Sequence, residues 1–303
     1  MRYFTNSELS TMRRCPRQWY FEYYLSIKKV YENKNLAVCS GIYLHEGVAE
    51  YYNDGQDPLS TVALLAATDV AEQETMLIGA GENAQVKIEE NLKIIKQSEE
   101  LATIMVTGYL EWLEQEGADS YLKFISAEEE ISVLFPSDQI QGIKPTSILG
   151  KLDARFLDER SGARVFMDHK SVQNFADREK TAHLDPQFLF YSLIEYLTLT
   201  EEQMEGTTDV EWTDGGIINM ARRVKRSGTA KPPFFKRKDV RHSIHELRNF
   251  YVRTAGEILR VLQTEQTLES GVDHHMACPP SPTRDCSWDC QYIQLCPIVD
   301  DGS

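Results

Sequence analysis

The sequence has no apolar run approaching the roughly 18–20 residues that a membrane-spanning helix needs, and its opening residues, Met1 to Glu8, lack the apolar core of a signal peptide. A soluble, cytoplasmic protein with no membrane partner is expected. No Walker G-x-x-x-x-G-K-[ST] segment occurs, so any coupling to a motor must come through a partner chain. Internal repeats and low-complexity tracts are also missing. Positive charge is scarce: 32 Lys and Arg stand against 47 Asp and Glu, a net charge of −15. That excludes a surface built wholly for phosphate, because phosphate neutralisation dominates nucleic-acid affinity. Six cysteines in 303 residues are too few for a disulfide scaffold in a cytoplasmic chain, so their spacing is read for metal first.

Apolar content is ordinary, at 42%, enough for one large domain or two small ones. Leu9, Met12, Cys15, Trp19 and Tyr23 recur at helical spacing and predict a helix from caps at Asn6 or Ser7 to about Leu25. A second helix is expected from about Ser40, carrying Leu44, His45, Val48, Tyr51 and Tyr52. The stretch from Pro58 to Glu116 reads as wholly helical, with a long apolar stripe from Ile88 to Leu113 and a break near Gly108. Strands follow at Leu122–Leu134, Ile148–Phe156, Arg164–Val172 and Val210–Met220, with helices at Pro186–Thr198 and Ser243–Glu265. Helices, clustered strands and helices again indicate a mixed α/β fold with a small central sheet. The organisation expected is a single domain over 1–303. Its sub-regions are the ends 1–30 and 271–303, a helical insert at 55–118 and a core at 119–270.

Two short apolar segments hold the most informative residues: Ile148 to Phe156 contains Asp153, and Arg164 to Lys170 contains Asp168 and Lys170. A turn-rich stretch, Asp158-Glu159-Arg160-Ser161-Gly162, separates them. As strands of a hairpin looped at Glu159–Gly162, they place Asp153 opposite Asp168, roughly 4.5–5.5 Å apart at Cα. Two carboxylates so placed can share one divalent cation, and Lys170 at i+2 shares a face with Asp168. Hydrolysis of a phosphodiester needs a cation to neutralise the phosphate, with a lysine to hold the attacking water and favour its deprotonated form. The trio therefore outlines a nuclease dependent on magnesium or manganese. The bland reading is a solvated strand face, and a slip of one residue would turn the side chains apart.

Positive charge is concentrated in one stretch. From Arg222 to Arg241 the chain carries Arg222, Arg223, Lys225, Arg226, Lys231, Lys236, Arg237, Lys238 and Arg241, with Asp239 the only acid. Phe234 and Phe235 lie among these cations, a composition suited to backbone contact plus base stacking. A basic loop tracking DNA is expected, against the plainer reading of a solvated loop.

Cys286, Cys290 and Cys296 place three thiols in eleven residues, which implies a metal centre. The fourth ligand is open among Cys15, Cys278, Cys39, His274 and His275. Cys15 is preferred because Arg13, Arg14 and Arg17 around it favour thiolate. Spacing leaves zinc against iron-sulfur undecided. Ligation from both chain ends would clamp the opening helix to a tail too poor in apolar residues to fold unaided.

Taken together, Ser10 to Arg17, Gly41 to Glu46, Gly150 to Asp153, Asp168 to Ser171, Gln187 to Tyr191 and the cysteine triplet run in the order of a known family. The chain resembles the RecB-type PD-(D/E)xK nucleases, in the iron-sulfur branch that includes AddB and the CRISPR-associated single-strand exonucleases, and is similar to free-standing phage copies. The resemblance implies a restriction-endonuclease-like core and makes His45, Asp153, Asp168 and the His169 carbonyl metal ligands. It makes Lys170 the catalytic lysine, and Gln187 and Tyr191 the Q-x-x-x-Y pair that orients water or phosphate. Cys15, Cys286, Cys290 and Cys296 would bind a 4Fe-4S cluster. The implied activity is a Mg2+- or Mn2+-dependent DNA exonuclease acting on single-stranded ends in recombination, replication or repair, with a recombination or helicase partner chain or an oligomer possible. The other reading is a catalytically silent nuclease-fold subunit that binds DNA or scaffolds a complex around a structural cluster.

Overall fold

The computed structural model describes residues 1–28, 33–53, 55, 57–78, 81–136 and 144–296. Its first half comprises β1 (Arg2–Phe4), α1 (Asn6–Arg14), α2 (Pro16–Trp19) running into a π-helical turn (Tyr20–Tyr24), α3 (Leu36–Tyr52), α4 (Pro58–Leu77), α5 (Glu82–Glu116), β2 (Leu122–Leu134) and β3 (Thr146–Asp158). There follow β4 (Ala163–Val172), α6 (Phe175–Thr181), α7 (Pro186–Glu205), β5 (Thr213–Arg222), β6 (Phe235–Val240), α8 (Ile244–Glu269), α9 (His274–Ala277) and α10 (Cys286–Asp289). Short polar side chains start the helices by satisfying free amides. Asn35 caps α3, Asp57 caps α4 and Asp185 caps α7, while Ser243 and Glu246 form a reciprocal capping box on α8. The result is a mixed α/β architecture with parallel and antiparallel strand pairs. Among the described residues no helix is long and apolar enough to cross a membrane.

The chain divides into two units. One comprises Met1–Val30, Ser132–Gly150 and Ser243–Ser303; the other comprises Tyr31–Ile131 and Lys151–His242. In the first, β1 runs parallel to the start of β3, with Arg2 opposite Thr146 and Phe4 opposite Ile148. Helix α1 lies against α8, with Leu9, Met12, Ile258 and Val261 buried. The single opening helix expected to Leu25 is not continuous: Cys15 is extended, at φ −158° and ψ 109°. Pro16 is the reason, since its ring disfavours helical backbone in the residue before it and suits the first turn after it. The cap is Thr5, not Asn6 or Ser7.

In the second unit β3 and β4 form the expected hairpin, with Ala154 opposite Met167 and Asp158 opposite Ala163. Strand β4 then pairs parallel with β5, placing Asp168 beside Ile218 and Lys170 beside Met220, and β5 pairs antiparallel with β6. Parallel pairing needs a crossover, which α6 and α7 supply. The register between β4 and β5 shifts near Gly215 and Gly216. Gly216 is required there, because a Cβ would stand 2.4 Å from the Phe166 ring.

One face of this sheet buries Ala154, Phe156, Val165 and Met167, with Tyr52 of α3 packed on them. Helices α3, α4 and α5 share their own core through Tyr43, Leu44, Val48, Val62, Val106 and Tyr109. On the opposite face Phe166 meets Phe188 and Tyr191 of α7. A buried ion cluster fixes that helix, because the Glu195 carboxylate lies 2.6 Å from both Arg155 Nε of β3 and Arg164 Nε of β4.

The stretch expected to be helical forms α4 and α5, and the expected break at Gly108 does not occur: α5 passes through it, stopping at left-handed Gly117. Gly108 serves close packing, since a Cβ there would fall 1.5 Å from the Arg226 guanidinium. The basic stretch is not all loop either: its second half is β6.

Candidate active site

Strands β3 and β4 carry the two expected carboxylates. One step beyond the paired Ala154 and Met167 come Asp153 and Asp168, and the His169 amide donates to Asp153 Oδ2 at 2.7 Å, tying the strands at this point. Asp168 is 1% exposed. Its Oδ1 accepts from Lys170 Nζ at 2.7 Å, and Lys170 also donates to Gln187 Oε1 at 3.3 Å. Gln187 in turn donates to the Tyr191 hydroxyl at 2.8 Å. Asp168, Lys170, Gln187 and Tyr191 thus form one hydrogen-bonded row, with the last two a helical turn apart on α7. Asp185 holds the start of that row by accepting from the Gln187 amide at 2.9 Å.

His45 enters from α3, its Nδ1 3.3 Å from Asp153 Oδ2. Ligand atoms of His45, Asp153 and Glu128 all lie within 4.8 Å of one another. Glu128, on β2, was not anticipated from sequence; its signal is three consecutive acids, Glu128 to Glu130, inside a strand that otherwise alternates apolar and polar residues only in part.

The electrostatics suit a cation. Burial alone would raise the Asp153 carboxyl, but the adjacent His45 ring outweighs it and holds Asp153 low. Burial pushes the Asp168 carboxyl up; Lys170 pulls it back, and the charge of Asp153 adds to the rise. Burial works against a proton on His45, yet Asp153 beside it raises the ring's pKa. Asp168 Oδ2 and Glu128 Oε1 are buried with no hydrogen-bond partner among the described residues. Oxygens left in that state are costly unless something positive meets them. Carboxylate oxygens with an imidazole are a donor set for a hard divalent ion, and the residues present fit one.

His169 does not join this row through its ring. The ring points toward Tyr52 and Tyr109, and its Nδ1 accepts from Asn219 Nδ2 at 2.7 Å. Burial drives its pKa down to about 3.

The expected DNA-binding cations divide into two groups. Arg237 turns inward: it pairs with Asp119 at 2.6 Å and donates to the Tyr109 hydroxyl at 2.9 Å and to Asn219 Oδ1 at 3.2 Å. Lys238 donates to the Glu179 carbonyl, Arg222 to the Lys231 carbonyl and Arg223 to Ser171. Lys225, Arg226 and Lys236 lie outward, each paired with an acid, Glu100, Glu111 and Glu179 respectively.

Cys15, Cys286, Cys290 and Cys296 line one small open cavity, with Arg17, Gln18, Phe21, Pro280 to Pro282, Tyr292 and Ile293 completing the wall. Backbone amides aim at the sulfurs: Ser281 N–H donates to Cys15 Sγ at 3.4 Å and Thr283 N–H to Cys286 Sγ at 3.3 Å. Cys278 does not line the cavity; it is fully buried, and burial pushes its thiol up to about 11. Cys39 packs in the core of α3 to α5. His274 and His275 meet the Arg17 guanidinium through their Nδ1 atoms, at 3.0 and 3.3 Å.

The family model for the PD-(D/E)XK nuclease superfamily matches residues 3–297. The chain belongs to that superfamily. No curated protein matches it. Nucleases of this superfamily generally need a divalent metal, and DNA is the substrate that the family implies.

Proposed function

We propose that the protein is a Mg2+- or Mn2+-dependent DNA exonuclease that removes nucleotides from single-stranded ends in recombination, replication or repair. The observation that carries this reading is the Asp168 carboxylate, with one oxygen on Lys170 and the other buried with no hydrogen-bond partner among the described residues. A silent scaffold gains nothing from a buried carboxylate left half satisfied.

His45, Asp153, Asp168 and the His169 carbonyl would hold the cation. When bound, it supplies charge neutralisation at the phosphate and acidifies water. Lys170, anchored by Asp168 and Gln187, holds the attacking water on the face it shares with Asp168 and offsets charge on the phosphate. Gln187 and Tyr191 fix the lysine from α7. Burial raises the Tyr191 hydroxyl well above the usual phenol range, so it stays a neutral donor toward phosphate. Lys225, Arg226 and Lys236 are the cations available for a DNA backbone track.

Cys15, Cys286, Cys290 and Cys296 would hold a 4Fe-4S cluster joining the opening segment to the tail. The shared cavity and the amides aimed at sulfur support this, since such donors stabilise thiolate ligands.

Linear and circular single-stranded DNA of one sequence, incubated with Mn2+, test the exonuclease reading. Loss of the linear form with the circle spared is expected. Cutting of the circle would make the enzyme an endonuclease, and survival of both would leave a silent DNA-binding subunit.

A further inference from the structure

Strand β2 is irregular at one place. Phe124 and Ala127, three residues apart, pack on the same apolar cluster, which strict alternation of side chains forbids. The strand must therefore carry an extra residue there, and next to it Glu128 has φ 52°, a left-handed backbone rare for anything but glycine. Strain of that kind costs of order 1–3 kcal/mol and persists where the surroundings impose it, often beside functional groups.

The side chain delivered by this bulge is held in an unusual way. Its exposure is 15%, and one oxygen, Oε2, is paired with Lys151, which also reaches Glu46 Oε1 at 3.5 Å. The other oxygen, Oε1, is buried without a partner among the described residues. A glutamate recruited only to pair with Lys151 would leave its second oxygen in water. Glu128 also belongs, with His45 and Asp153, to a set in which one ligand atom from each residue comes within 4.8 Å of the others. Oxygens and nitrogens about 2.0–2.2 Å from a common divalent ion stand at most about 4.4 Å apart, so a small side-chain adjustment would bring the three onto one ion.

We propose that Glu128 is a further metal ligand of this site, giving Oε1 to the divalent cation beside His45 and Asp153 while Lys151 fixes Oε2. This rests on the metal-dependent reading of the same site. The β2 bulge then has a definite use: it turns an acid out of the strand's alternation toward Asp153 of β3 and His45 of α3.

The test is Mn2+ binding without DNA, by titration calorimetry and by the loss of the free-ion electron paramagnetic resonance signal. It compares wild type, Asp153→Asn, Glu128→Gln and Lys151→Met, with circular dichroism in chelator to establish folding. Glu128→Gln should weaken Mn2+ binding by about tenfold or more, the loss typical even of groups that only support a ligand. Lys151→Met should bind as tightly as wild type or tighter, because it removes a neighbouring cation. Should Glu128→Gln fail to fold, Glu128→Asp retracts the oxygen with its charge intact and carries the same expectation. Wild-type affinity in Glu128→Gln, with binding lost in Asp153→Asn, overturns this inference alone; so does a loss in Lys151→Met equal to that in Glu128→Gln. A wild-type protein that takes up no Mn2+ removes the metal site itself.

Discussion

Lys170 Nζ donates to Asp168 Oδ1 at 2.7 Å, while Asp168 Oδ2 is buried with no hydrogen-bond partner among the described residues. The lysine offsets one oxygen of the carboxylate and leaves the other free to meet a positive group. Neighbouring features hold the lysine in turn: Gln187 of α7 also accepts from Lys170 Nζ at 3.3 Å.

Helix α7 is one such feature, and its anchor can be removed. Glu195 is fully buried between Arg155 and Arg164. Glu195→Gln leaves two buried guanidinium groups with Glu129 and Glu202 as their acidic partners among the described residues. Breaking a buried ion cluster from one side costs about 3–5 kcal/mol. Because those partners remain, a loss near the lower end is expected in urea unfolding. A change below about 0.5 kcal/mol, the range of an ordinary surface substitution, would mean that Glu195 does not hold the helix.

The cations of the basic stretch should separate by direction. Lys225→Gln, Arg226→Gln and Lys236→Gln remove outward charges whose acidic partners a phosphate can replace. Each should lower DNA affinity and reduce the slope of log K against log salt by about 1. Arg237→Gln should instead destabilise the fold, since its partners Asp119, Tyr109 and Asn219 are internal. An Arg237→Gln protein as stable as wild type but with a reduced salt slope would return that residue to the DNA surface.

Cysteine substitutions decide the composition of the cluster. Cys290→Ala should lose iron, visible absorbance and much of the stability together, because the tail has little apolar core of its own. Cys15→Ala should do the same. Cys278→Ala should keep its iron, since that thiol lies outside the cavity and is buried. Iron lost from Cys278→Ala and kept in Cys15→Ala would exchange their roles.

Acid should weaken the protein through His169. Its folded pKa lies near about 3 against an ordinary 6.5, because burial opposes the charged ring. Between those values the unfolded chain binds more protons, so this contribution is whole above pH 6.5 and is lost as pH falls toward 3. The slope for one group reaches about 1.4 kcal/mol per pH unit. Urea unfolding in chelator at several pH values should show a shallower acid decline for His169→Gln than for wild type. Parallel curves would contradict a neutral buried ring.

The hairpin, its four-residue turn and the partners of Asp153, Asp168 and Lys170 were legible because alternation and turn residues together fix a register. The Gln187 and Tyr191 pair was marked by its resemblance to the Q-x-x-x-Y motif, and helical spacing adds only that the two share a face. Glu128 was not, because a bulge breaks the very alternation by which a strand is read. The inward turn of Arg237 was hidden by the basic residues around it, although its i+2 relation to buried Phe235 is a usable sign. The break at Cys15 was available from Pro16 and was masked by the helical spacing that continues through it. Strand β1, three residues long, is too short to carry a periodic pattern.

The most direct measurement is digestion of end-labelled single- and double-stranded DNA by wild type and Lys170→Ala, with Mg2+, Mn2+ or chelator. The account predicts cleavage only with metal, reduced about 10²–10⁴-fold by the substitution, as for loss of a group that positions the water and its proton. Cleavage that persists in chelator, or that Lys170→Ala leaves intact, would contradict it.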